Sequence, residues 1–357
     1  MSRVSRLDAA GEAALYVTLR RFWHPVAYAA EVTDRPVPAT LLGEPLVVVR
    51  LDGAVRVFKD LCVHRGTALS LGWVDNDCLV CPYHGWTYDA LGVCRRIPAS
   101  HGPNIPRKAR LTPYAAAERV GLVWVCLADE ARFPTPEFPE ADDPSFRVVP
   151  GPPYDWACSA PRRLENFVDF AHFAWVHDGL LGSRDAPHVP DHEVYRHGPE
   201  MRFSAWVTQP GEGEASERFE TAETFVQVEN RYRLFMPLTI YLNRRFPNGN
   251  QYVLVMAASP VGPRSTRSFW FVARNYALDV PDASFLDFEA AILEQDKPIV
   301  ESQRPEELPI DLSAELHIKG IDRVALEYRR WLLELVNSDE PTPHREALSA
   351  GGSHGHA

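Results

Sequence analysis

The chain has 357 residues, 45% of them hydrophobic and 24% charged, with a formal net charge of −11. This describes a globular protein with room for two domains and a sizeable core, and the acidic excess, unbroken by any basic run, argues against a nucleic-acid partner. No stretch approaches the ~18–20 apolar residues of a membrane span, and the polar start, Met1 to Ala14, lacks the apolar centre of a signal peptide, so the cytoplasm is the expected compartment.

Leu7 to Trp23 reads as a helix with Leu7, Leu15, Leu19 and Phe22 near one face, ended by His24–Pro25. Short strands follow. Leu46–Arg50 and Ala54–Phe58 flank Asp52–Gly53, a strong hairpin signal. The hairpin leads into Cys62–Val63–His64; after 16 residues comes Cys81–Pro82–Tyr83–His84. Each short loop offers one thiolate and one imidazole. That set suits a Rieske [2Fe–2S] centre, in which two His replace two Cys on one iron. The rival is a structural Cys₂His₂ zinc site, although zinc fingers usually pair Cys with Cys and His with His along the chain. The other four cysteines, Cys78, Cys94, Cys126 and Cys158, lie in strand-like runs and read as buried, reduced thiols.

Gly121 to Leu127 is a buried strand. Seven prolines between Pro134 and Pro153 then mark an extended connector, which puts the domain boundary near residue 140. Arg163 to His177 looks helical. Met201–Thr208, Thr221–Glu229, Arg231–Tyr241, Gln251–Ala258 and Ser268–Asn275 form an antiparallel meander, broken at Pro210–Gly213 and Pro247–Asn250. Ser284–Ser302, irregular at Pro298, and the amphipathic Ile321–Val336 are helices, and the Gly- and His-containing tail reads as disordered. Grouped strands with helices before and after them imply an α+β architecture, divided as 1–140, 141–340 and a tail at 341–357.

Within 166–177, Asp169, His172 and His177 stand among aromatics, where burial is costly unless such groups are paired or bind metal. His172 and His177 would be roughly 140° apart on a regular helix, so both reach one ion only if the helix bulges or ends between them. A 2-His-1-carboxylate set holds non-haem Fe(II). Asp296 is the candidate third ligand, on the apolar stripe Phe288–Ile292–Asp296 of its helix. His24, His101, His188, His192, His197, His317 and His344 have no partner at ligand spacing.

Taken together, Cys62-x-His64, Cys81–Pro82–Tyr83–His84–Gly85–Trp86, Glu165–Asn166–Phe167-x-Asp169-x-x-His172-x₄-His177 and Asp296–Lys297–Pro298 resemble the catalytic α subunit of the Rieske non-haem iron oxygenases over the chain to about Asn337. The likeness is greatest to the branch of methylxanthine N-demethylases and vanillate-type O-demethylases, and Phe22–Val26, Ile105–Ala109 and Tyr328–Leu332 support it. The resemblance implies an all-β Rieske domain followed by a helix-grip, START-like sheet enclosing an apolar pocket. It assigns Cys62, Cys81, His64 and His84 to the [2Fe–2S] cluster and His172, His177 and Asp296 to a mononuclear Fe(II). It implies too that Asp169 bridges the two centres across subunits of a homotrimer and that Asn166 lies beside the iron.

It further implies a flavin- or ferredoxin-type reductase as electron donor, and O2 with a small aromatic or heterocyclic compound as substrates. The expected reaction is monooxygenation, by hydroxylation or N- or O-demethylation. Ring dihydroxylation, or an electron carrier without mononuclear iron, are the alternatives. Phe203, Trp206, Phe225, Phe235, Tyr241, Leu293 and the polar Asn243 are the expected pocket residues.

Overall fold

The computed structural model describes residues 9–100, 102, 104–210 and 225–339. Leu7, the turn after Pro210, the start of the strand expected from Thr221 and the tail at 341–357 lie outside the described residues.

Helix α1 (Ala9–Leu19) is alanine-rich and turns Leu15 and Leu19 inward; with Phe22 they join the core of the C-terminal half. Ten strands follow: β1 (His24–Tyr28), β2 (Val37–Leu41), β3 (Glu44–Leu51), β4 (Ala54–Lys59), β5 (Trp73–Asp75), β6 (Cys78–Val80), β7 (Thr87–Tyr88), β8 (Cys94–Arg96), β9 (Pro113–Arg119) and β10 (Leu122–Cys126). Six of them form a sheet in the order β1-β10-β9-β4-β3-β2, and β5 to β8 form a smaller sheet that carries the second Cys–His loop. Asp52 and Gly53 adopt φ of 52° and 70°, the paired left-handed conformation that a two-residue hairpin turn needs.

The second half is an antiparallel sheet in the order β11-β18-β17-β16-β15-β14-β13. Its strands are β11 (Arg147–Pro150), β12 (Tyr154–Trp156, paired to β18), β13 (Glu193–His197), β14 (Glu200–Pro210), β15 (Phe225–Phe235), β16 (Thr239–Arg245), β17 (Gln251–Gly262) and β18 (Ser265–Arg274). The expected break near Asn230 is not there. β15 runs through it, and the turn falls at Met236–Leu238 instead. Asn230 remains in the strand because it pairs on both sides, with Ala205 and with Arg244. The helix expected over Arg163–His177 is two: α2 (Ala160–Val168) and the single-turn α3 (Phe173–Val176). Helices α4 (Asp282–Ser302), which continues through Pro298, and α5 (Arg323–Asp339) are the last elements among the described residues.

Both faces of the β15–β18 region are covered. Met201, Tyr232, Leu242, Met256 and Trp270 share a core with α2, α4 and α5. Phe235, Tyr241, Val253, Phe269 and Phe271 pack against Leu122 and Trp124 of β10 and Phe138 of the connector. Strand β16 is therefore buried at six of its seven positions, with no alternation to read.

The seam is also hydrogen-bonded: the Tyr28 hydroxyl donates to the Gly151 carbonyl at 2.6 Å, and Leu42 and Gly43 donate to Pro260 and Val261 at 2.7 and 2.8 Å. Gly151 lies flat under the Trp270 indole, where a Cβ would come within 2.0 Å of the ring. Gly151→Ala is expected to cost about 1–3 kcal/mol through overpacking, measured as a fall in the thermal unfolding midpoint. An unchanged midpoint contradicts the close approach.

Candidate metal centres and active-site cavity

The two Cys–His loops are closed in the same way. Gly66 donates to the Cys62 carbonyl at 2.9 Å and Cys62 to the Thr67 carbonyl at 2.8 Å; Gly85 donates to the Cys81 carbonyl at 3.0 Å and Cys81 to the Trp86 carbonyl at 2.8 Å. Gly66 and Gly85 make these turns at φ of 73° and 70°. The matched knuckles bury Cys62 and Cys81 and bring the His64 and His84 Nδ1 atoms to 3.2 Å from each other. The His64 ring stacks on Trp86 at 4.6 Å. The Tyr88 hydroxyl lies 3.2 Å from Cys62 Sγ.

Burial pushes the Cys81 thiol up, so a thiolate there calls for a cation. Desolvation, with His84 and Arg65 nearby, holds His64 below its ordinary value, neutral and able to bind metal. Two buried thiols and two converging imidazoles fit a Rieske cluster.

The second cluster of donors is organised by the break between α2 and α3. Ser159 caps α2, its hydroxyl accepting from the Arg162 N–H, and α2 ends at Asp169 in an extended conformation. His172 and His177 flank the one-turn α3 as its N-cap and C-cap. The helix thus ends before His172 and again at His177, and both imidazoles turn to the same side. Asp169 and His172 meet at 3.3 Å, not across a helical turn but through the loop, where Asp169 Oδ1 also accepts from the Ala171 N–H. His177 Nδ1 is tied to Gln295 Oε1 at 2.8 Å. With both Nδ1 atoms engaged, the Nε2 atoms of His172 and His177 face Asp296 Oδ1 at 3.6 and 3.1 Å. Ligand atoms of all three residues lie within 4.8 Å of one another.

Asp296 is only 5% exposed. Burial alone would raise its pKa, but the His177 hydrogen bond and the charges of Arg163 and His172 outweigh it, and the carboxyl is held below its usual range. Arg163 reaches Asp296 through Asn166: it donates to Asn166 Oδ1 at 2.8 Å, and Asn166 Nδ2 donates to Asp296 Oδ1 at 3.3 Å. Its guanidinium also bonds the Tyr154 hydroxyl and lies 4.5 Å from the Trp156 ring centroid. A deprotonated carboxylate between two imidazole Nε2 atoms fits a mononuclear Fe(II). Arg163 and Gln295 were not indicated by the motifs. Gln295 is simply the neighbour of Asp296, and its role depends on the rotation of α4 against α3.

These groups open onto a cavity between the sheet and helices α2, α3 and α4. Of the expected pocket residues only Leu293 lines it. Phe203 stacks on Tyr232 in the core, Trp206 is 57% exposed, and Phe235, Tyr241 and Asn243 stand on the opposite face of the sheet. The Phe225 side chain lies outside the described residues. On β16 the neighbours Leu242 and Arg244 face the cavity instead, a one-residue difference of parity. Replacing Gln295 by Leu leaves His177 Nδ1 without its acceptor and is expected to weaken iron binding at the second centre about 10–100-fold, read by chelator competition, with the Rieske absorption unchanged.

Comparison with known proteins agrees with both halves. The family model of the Rieske [2Fe-2S] domain matches residues 22–114, and that of the vanillate O-demethylase oxygenase C-terminal domain matches 156–338. The chain is 35% identical to methylxanthine N1-demethylase NdmA of Pseudomonas putida, over 93% of this chain and 92% of that protein. It is 33% identical to methylxanthine N3-demethylase NdmB of the same organism, over 89% of each. The solved structure of NdmA with caffeine covers 91% of this chain and 93% of its own, with a TM-score of 0.81 at 33% identity. With a Rieske domain in place of any zinc module, and a second domain built around two imidazoles and a carboxylate, the chain belongs to the Rieske non-haem iron oxygenases as a catalytic α subunit.

Proposed function

We propose that this oxygenase N-demethylates a small heterocycle of the methylxanthine class. The observation that carries the reading is the convergence of His172, His177 and Asp296 within 4.8 Å at the wall of a largely apolar cavity. The likeness to NdmA and NdmB supplies the substrate class. As an oxygenase component the protein draws electrons from a reductase, in this reading of flavin or ferredoxin type, in the cytoplasm. Residues 1–140 form the electron-accepting domain and 141–340 the catalytic domain; the passage from β10, in the first sheet, to β11, in the second, supports that division.

In this reading Cys62, Cys81, His64 and His84 hold the [2Fe–2S] cluster, and His172, His177 and Asp296 hold the mononuclear iron. When bound, the two centres supply electron storage and O2 activation. The chain's own residues do the rest. Asp169 and Gln295 fix the imidazole orientations, Arg163 and Asn166 keep Asp296 ionised, and Phe173, Leu181 and Ile292 exclude water beside the reacting methyl group. One oxygen atom enters the N-methyl C–H bond and the other leaves as water, with two electrons and two protons consumed. The hydroxymethyl group then departs as formaldehyde, leaving an N–H.

Supplied with a reductase, NAD(P)H and O2, the enzyme is expected to release one formaldehyde per methyl lost from caffeine, theobromine or theophylline. A cis-diol product without formaldehyde overturns the reading. Asp296→Ala is expected to lower iron from about three to about two atoms per chain and to abolish turnover, while the cluster's signal persists. Full iron and full rate in that variant would place the third ligand elsewhere.

The same reading includes a homotrimer in which Asp169 links His172 to His84 of a neighbouring subunit. Asp169 holds His172 while its side chain is 36% exposed, and His84 is exposed at the protein surface, which supports a contact between copies. Asp169→Asn should leave iron content and assembly unchanged and slow electron transfer between the centres by orders of magnitude. A fully active monomer, or an Asp169→Asn variant with wild-type rate, excludes the relay.

A further inference from the structure

The cavity has a polar end that the iron-site chemistry does not use. Across β15, β16 and β17 the inward-facing residues Asn230, Arg244 and Tyr252 are successive cross-strand neighbours. The Tyr252 hydroxyl donates to Glu289 Oε1 of α4 at 2.9 Å and so joins the row to the facing helix. All four are at least nine-tenths buried, and Asn230, Arg244 and Glu289 line the cavity. The next row, Tyr232, Leu242 and Leu254, is largely apolar. Glu289 precedes Asp296 by seven residues on one face of α4, which separates the polar end from the iron ligand by about 10 Å of helix rise.

One atom in this row is left over. Asn230 Oδ1 is buried without a protein partner, and Asn230 is only 3% exposed. The carbonyl oxygen is thus the free end of the Asn230 amide. A buried acceptor without a donor costs about 1–3 kcal/mol, and a bound molecule that donates to it recovers that cost. Arg244 and Glu289 supply one charge of each sign on the cavity wall, so the row offers no surplus cation to an anionic substrate.

We infer that Asn230 is a specificity-determining residue whose Oδ1 accepts a hydrogen bond from a ring N–H at the far end of the substrate, and that the substrate is therefore a neutral N-methylated heterocycle retaining at least one ring N–H. The inference rests on the N-demethylase reading above and narrows it. Asn230 and the iron ligands line the same cavity, so one ring can present its methyl group to the iron site and its N–H to Asn230.

The test compares theobromine and theophylline, each with one ring N–H, against caffeine, which has none. Dissociation constants are measured by calorimetry on the iron-loaded enzyme without reductase, so that no turnover is involved. At least one N–H probe is expected to bind about tenfold or more tightly than caffeine. Asn230→Leu should bring that ratio close to one, and Asn230→Asp, which keeps an acceptor oxygen, should preserve it. Asn230→Ala replaces the Leu variant if the latter does not accumulate with its cluster. Caffeine binding as tightly as both N–H probes, a preference that survives loss of the amide, or no binding by either N–H probe overturns the inference. Formaldehyde release from other methylated substrates in that case would leave the demethylase reading standing, whereas no formaldehyde from any methylated substrate would remove the reading itself.

Discussion

A single buried carboxylate sets the terms for the catalytic half of this protein. Asp296 lies 3.1 Å from His177 Nε2, faces His172, and takes a hydrogen bond from Asn166, which Arg163 holds in turn. Removing a carboxylate from water is expensive unless charge and hydrogen bonds replace the lost solvation. Here the replacements come from α2, from α3 and, through Tyr154, from β12. The rotation of α4, the break between α2 and α3, and the placement of Arg163 under the sheet edge are therefore one solution to one electrostatic problem.

A second set of buried charges holds that solution in place. Arg329 of α5 pairs with Glu165 of α2 and with Glu315, and Glu315 also pairs with Arg162. Burial would push Glu315 up, but its hydrogen bonds from Arg162 and Arg329 hold it below the ordinary carboxylate range. Glu165 sits inside the run that supplies His172 and His177, yet its work is to fasten α2 to α5. A motif position can be structural while its neighbours carry chemistry.

Both clusters of donor side chains were legible in the sequence because they depend on local spacing. Cys62-x-His64 and Cys81-x-x-His84 state a donor set outright, and the Phe288–Ile292–Asp296 stripe points a carboxylate inward. The pocket was not legible, and the reason is the sheet. Strands β16 and β17 are covered on both faces, so apolar residues occupy both parities and nothing in the pattern says which parity meets the substrate. Tyr241 and Asn243 looked as suitable as Leu242 and Arg244. Gln295 and Arg163 escaped notice for a related reason: their value comes from which residue another element turns toward them. The run Arg163–His177 was expected to be one helix; the break in it lets a loop bring Asp169 to His172.

The apolar layer between the two halves bears on how such an enzyme can be recombined. Leu122, Trp124 and Phe138 complete a core whose other members are Phe235, Tyr241, Val253, Phe269 and Phe271. A crossover made in the proline-rich connector, where the sequence invites one, would cut this core in two. A chimera that takes its Rieske domain from one parent and its cavity from another must also carry over the residues of β16 to β18 that face away from the cavity. Transplanting a new substrate preference is better done by exchanging inward-facing positions alone, because the same strands then keep their other face matched to the domain behind them.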